Sequence, residues 1–137
     1  MAFKRIKGSD KGLVERPINA TAFSVGDLLQ YSRTTAYVVV ADANTEIDNL
    51  AGVCVKATTT ADTVILLQRI SAGDVYEVGT LNAANASHTF QRMIWGTGHT
   101  ANNTGTDVSG DTGIFMQTAV VGTSKIIGEF VTGSHGD

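Results

Sequence analysis

Short apolar runs recur along the whole chain, each closed by a cluster of Gly, Asp, Asn, Ser or Thr. GDLLQYS at Gly26–Ser32 is followed by AYVVVA at Ala36–Ala41, NLAGVCVKA at Asn49–Ala57, TVILLQRI at Thr63–Ile70 and DVYEVGTL at Asp74–Leu81. Runs of this length, rich in Val, Ile, Leu and Tyr and bounded by turn formers, predict strands rather than helices. In LAGVCVKA, Val53 and Val55 share one face and Cys54 the other. Val64–Leu67 is apolar without interruption, as in a strand buried on both faces.

Two stretches invite helix. NTEIDNL at Asn44–Leu50 suits one turn, with Asn44 or Thr45 as the cap and acids in the first turn. In LNAANASHTFQRM the alanines allow a short helix through Asn85, after which HTFQRMIW alternates as a strand does. GTGHTANNTGTDVSGDTG at Gly96–Gly113 has no periodicity and reads as a long loop. IFMQTAV and KIIGEFV, separated by a turn at Val121–Ser124, predict a closing hairpin.

Gly-Asp punctuates the strands three times, in SVGDLLQYS (Ser24–Ser32), SAGDVYEVG (Ser71–Gly79) and VSGDTGIFMQ (Val108–Gln117). Glycine permits a turn conformation that side chains resist, and aspartate hydrogen-bonds backbone amides nearby. The glycines at 26, 73 and 110 are unevenly spaced, which excludes a solenoid of fixed period. The pattern predicts an all-β, single-domain β-barrel or β-sandwich with at most one or two short helices. Residues 1–20 show no clear period and hold the single proline, Pro17, so they are expected to form an extended N-terminal arm. The β-rich globular domain is expected over 21–132, and a polar tail over 133–137.

Composition sharpens this picture in one respect. A chain of 137 residues, 42% hydrophobic and 17% charged, suits one domain with a real core. Its net charge of −3 is unevenly spread: Lys4, Arg5, Lys7, Lys11 and Arg16 supply half of all Lys and Arg. The first sixteen residues are thus basic and the remainder acidic, which suggests that the arm meets a surface of its own. Phe3, Lys4, Arg5, Lys7, Lys11 and Arg16 are the candidate contact residues. Cys54 is the single cysteine, so no internal disulfide forms, and its apolar setting suggests a buried hydrophobe. No run approaches the ~18 apolar residues of a membrane-spanning helix.

Candidate chemistry is sparse. GTGHTA at Gly96–Ala101 matches the dinucleotide fingerprint, but NNTGTDVSGDTG behind it is a poor helix and cannot hold a pyrophosphate at a helix N-terminus. Asp107, Ser109 and Asp111 alternate as calcium ligands do, yet Thr118 stands where the loop wants a bidentate acid. His88, His99 and His135 show no zinc-binding spacing, and neither a nucleophile elbow nor a phosphate loop occurs. The expectation is a non-enzymatic protein with no cofactor and no metal. Nucleic acid is not expected as a partner either, because the body is acidic and shows no basic, aromatic-interleaved face.

The strand openings SVGDLLQYS and SAGDVYEVG, the strand NLAGVCVKA and the ending GDTGIFMQTAVVGTSKIIGEFV together resemble the capsid decoration (cement) proteins of tailed bacteriophages. That resemblance covers most of residues 21–132. It implies a structural protein on the outer capsid surface of the virion, made in the host cytoplasm. It also implies a major capsid protein as partner and a homo-oligomer, a trimer above other states, that clamps neighbouring capsid subunits. The alternative is a tail or spike module that binds host-surface glycans through the Gly96–Gly113 loop, with Trp95 and His99 beside it.

Overall fold

The computed structural model describes residues 4–7, 12–71, 73–96, 99–105 and 107–131, with residues 4–7 described by backbone alone. The chain is all-β and forms two sheets. Its strands are β1 (Lys4–Lys7), β2 (Leu13–Pro17), β3 (Leu28–Tyr31), β4 (Val38–Val40), β5 (Leu50–Cys54) and β6 (Val64–Gln68). They continue as β7 (Val75–Thr80), β8 (Arg92–Trp95), β9 (Thr100–Asn102), β10 (Phe115–Gly122) and β11 (Lys125–Phe130).

The first sheet runs β1-β7-β11-β10-β8-β9, and β9 also pairs in parallel with β7 through Gly79–Thr100 and Thr80–Ala101. That last pairing joins β7, β11, β10, β8 and β9 into a ring of hydrogen-bonded strands. Every second residue of the ring strands points inward: Tyr76 and Val78, Ile126 and Phe130, Met93 and Trp95. Tyr76, Trp95, Phe115 and Phe130 interlock there, with ring centroids 5.0 to 5.9 Å apart and mostly edge to face. This geometry aligns positive ring edges with negative faces.

The second sheet runs β2-β6-β5-β3-β4. One face adds Leu28, Leu50 and Val53 to the aromatic core. The other encloses a second core of Ile18, Phe23, Leu29, Ala51, Cys54, Ile65 and Leu67. The sheet curls strongly around this core: Arg16 Nε on β2 donates to the Tyr31 hydroxyl on β3 at 3.0 Å, although β6 and β5 lie between them in the sheet. A bulge in β5 makes the two-sided packing possible. Leu29 is opposite Gly52 and Gln30 opposite Leu50, so Ala51 is the extra residue. The inserted residue restores parity, so that Leu50 and Val53, three apart, serve the same core. Gly52 takes φ +149 there, and a Cβ would strike the Gln68 carbonyl and the Leu67 side chain.

The N-terminal region differs from its expectation. Within 1–20, β1 pairs antiparallel with β7, placing Lys4 opposite Glu77, and β2 pairs with β6 along its whole length. Ile18 is buried in the second core. The body therefore begins before Thr21, and the expected arm supplies a strand to each sheet. The reason is non-local. KRIK and LVERP show weak periodicity because each completes a sheet edge rather than a central strand.

Smaller departures have similar causes. Val64 and Leu66 stay partly exposed, so β6 is buried on both faces only toward its end. The helical turn is a 3-10 segment, Ile47–Asn49, capped by Glu46 rather than Asn44 or Thr45. Thr45 is instead buried, and its hydroxyl accepts the Asp42 N–H at 2.8 Å. A second 3-10 turn, Ala86–His88, is capped by Asn85, whose side chain accepts the Ser87 N–H. The closing hairpin is β10–β11, as the pattern predicts.

Candidate functional site

The Gly-Asp pairs prove to be turns. In both Ser24–Asp27 and Ser71–Asp74, the aspartate N–H donates to the serine carbonyl and its carboxylate accepts the serine N–H. Gly26 and Gly73 share φ +89. Asp62 builds the same closure on Thr59 without glycine. The third pair departs from this geometry: the Gly110 carbonyl accepts from Gly113, and the Asp111 carbonyl accepts the Ile47 N–H. The three aspartates sit at separate turns, as punctuation requires.

The sequence candidates fare differently from one another. Phe3 and Lys11 lie outside the described residues. Lys4, Arg5 and Lys7 are placed by backbone register on the β7 edge of the first sheet. Arg16 is half-buried, bonded to Tyr31 and to the Glu15 carbonyl, so its role is structural rather than a free anchor. These positions divide between two sheets and do not form one arm. Trp95 is fully buried in the aromatic core, which removes it as a platform for a sugar ring. The fingerprint stretch leads into β9, not a helix. Among the described residues no group of three His, Cys, Asp or Glu side chains converges on a metal-sized site, Asp107 and Asp111 included.

Cys54 is buried, and its thiol donates to the Lys56 carbonyl at 3.2 Å. Burial pushes its pKa up, hydrogen bonding of the sulfur, in its charged form, with the Lys56 backbone opposes the rise, and the Asp27 charge adds to it. A thiol held protonated is a poor nucleophile. Asp27 also faces His99, with Nδ1 3.7 Å from Oδ1, which ties the Gly96–Gly113 segment to the Ser24–Asp27 turn.

The feature that sequence reading missed is a sheet face. On the side of the second sheet opposite Ile65 and Leu67, register places Val53, Gln68 and Leu13 in one row. Glu15 and Leu66 pair in the next row, where Val55 donates its N–H to the Leu66 carbonyl, and Pro17 and Val64 pair beyond them. The first sheet covers Val53 and Gln68, and the remainder emerges into solvent. Leu13 is 55% exposed, Val64 50% and Val55 37%. A sheet with one wet face normally alternates apolar with polar. Here the outward positions are mostly apolar, and contiguous exposure of this kind marks interaction surfaces. Two clefts border it. One, of about 320 Å³, runs along the seam with Tyr76, between Val25, Val55 and Gln68. The other, of about 190 Å³, is lined by Glu15, Lys56, Asp62, Val64 and Leu66.

The signal was present in the sequence as outward Leu13, Val55 and Val64. Without the pairing of β2, β6 and β5, nothing showed that they adjoin. No protein-family model matches the chain, and no curated protein matches it in sequence.

Proposed function

We propose that this chain is a non-enzymatic virion structural protein that binds the outside of a phage capsid and stabilises contacts between major capsid subunits. The observation that carries the reading is a contiguous apolar sheet face, exposed on a two-sheet body whose strands are cross-tied by two cores. A surface of this kind suits a protein that binds other proteins. A rigid body loses little conformational entropy on docking, and many copies on one shell multiply weak contacts. The resemblance of the strand openings and the closing hairpin to decoration proteins points the same way. The basic segment is no longer the favoured anchor, since β1 and β2 are committed to the sheets.

The test is addition of the purified protein to capsids that lack it. Expected are copies spread over the shell in electron micrographs and a rise in the temperature at which shells rupture. Copies confined to the tail, or no binding, would overturn the reading.

A further inference from the structure

We propose that Phe90 anchors a second docking surface, which seats this protein on a different capsid subunit from the one covered by the apolar face of β2, β5 and β6. The inference rests on the capsid reading: a protein that stabilises the contact between two subunits touches both, and one sheet face touches one. The second surface is built where the segment 81–91, which joins β7 to β8, packs on the β10–β11 hairpin. Ala84 donates its N–H to the Thr123 carbonyl at 2.7 Å, and Phe90 donates its N–H to the Gln117 carbonyl at 2.7 Å. This surface shares no residue with the first face.

Folding does not account for Phe90. At 71% exposure it is the most exposed large apolar side chain among the described residues, and it belongs to neither core. Its φ of +67 lies in the left-handed region, which a bulky side chain occupies only under strain. The backbone holds it there from both sides, since the Gln91 N–H also donates to the His88 carbonyl at 3.0 Å. The fully buried Gln117 side chain braces the same turn: its Nε2 donates to the Asn85 carbonyl at 2.9 Å, while its Oε1 has no partner among the described residues. An aromatic ring presented in this fixed way suits an interface anchor, because seating it loses little conformational entropy. The chemistry around it defines the occupant. Residues 81–91 and 117–124 include no Asp, Glu, Lys or Arg, although 17% of the chain is charged. Leu81, Val120 and Val121 are exposed within them. Depletion of charge around an aromatic residue is the composition of an interface centre. The occupant is therefore an uncharged, apolar pocket of the capsid subunit, because a charge buried here would find no opposite charge to pair with.

The experiment saturates capsids that lack the protein with either the wild type or Phe90→Gly, and reads occupancy by electron microscopy and shell rupture by calorimetry. Glycine takes a positive φ without strain, so Phe90→Gly should match or exceed the wild-type urea midpoint. It should still occupy the shells, about tenfold or more weakly for want of one contact, and leave their rupture temperature at that of bare shells. A Phe90→Gly protein that raises the rupture temperature as the wild type does would overturn the second contact and leave the capsid reading standing. Loss of all occupancy would make Phe90 part of a single contact and overturn the proposal too. So would a lowered urea midpoint, which would assign Phe90 to the fold. Wild-type protein that fails to bind shells would defeat the capsid reading and this inference with it.

Discussion

At the residue scale, glycines that look alike in the sequence perform different work. LAGVCV and IIGEFV share an outline, yet Gly52 sits at φ +149 in a bulge of its own strand. Gly128, without a positive φ, pairs with Gln117 and Tyr76 beside a bulge in β10 and leaves space for the Met116 carbonyl and the Phe115 ring. Gly52→Ala should therefore cost about 3 kcal/mol, from backbone strain together with collision against β6. Gly110→Ala, with open space around it and no positive φ, should change stability by less than about 0.5 kcal/mol. Urea unfolding of the two variants checks both. Cys54 offers a second prediction. Its folded pKa is raised, so the native state holds the proton more tightly than the unfolded chain. The resulting stability is fully present below the unfolded thiol value of about 8.5 and fades as pH rises through the folded pKa. Cys54→Ala should flatten that alkaline decline in the urea midpoint. An unchanged slope between the two proteins would refute the assignment.

At the scale of elements, strand existence was far easier to read than strand partnership. GDLLQYS, DVYEVGTL and the closing hairpin announce themselves through period and turn chemistry, both of which act within a few residues. KRIK and LVERP do not, because an edge strand needs only one neighbour and can carry charge and proline. The short β9 was hidden inside a run of Gly, Asn and Thr, and only its pairing with β8 and β7 makes it a strand. Deleting residues 2–16 tests this scale. The deletion removes β1 and nearly all of β2 and uncovers Val14's side of the second core. The product should lose its cooperative thermal transition; a native-like melt would return the segment to the status of a detachable arm. Arg16→Ala should lower stability by about 1 kcal/mol, through loss of the bond to Tyr31, as measured by urea unfolding.

At the scale of the whole molecule, two cores share one sheet. Leu28 faces the aromatic core and its neighbour Leu29 faces the other, so disruption of β3 empties both. The protein should therefore unfold as one unit. Trp95 reports the ring and Cys54 the curled sheet, which makes the prediction direct. Tryptophan fluorescence and thiol labelling should trace the same urea transition, and two separated midpoints would show that the sheets unfold independently. The same arrangement accounts for the candidate surface. A sheet whose inner side is filled by its own curl, and whose outer side is only half roofed by the ring, leaves apolar strand positions uncovered.

The sequence by itself determined the all-β class, most strands, the closing hairpin and the Ser-x-Gly-Asp turns. Each of these depends on interactions between residues close in the chain: alternation at period two, a hydrogen bond across three residues, glycine at positive φ. Only the tertiary structure decided that the first twenty residues belong to the body, that β9 closes a ring, and that Trp95 is core. It alone brought Leu13, Glu15, Val55 and Val64 onto one face. Those outcomes depend on which strands pair and in what register, a choice made by burial and packing between segments far apart in the chain, and local patterning carries no record of it.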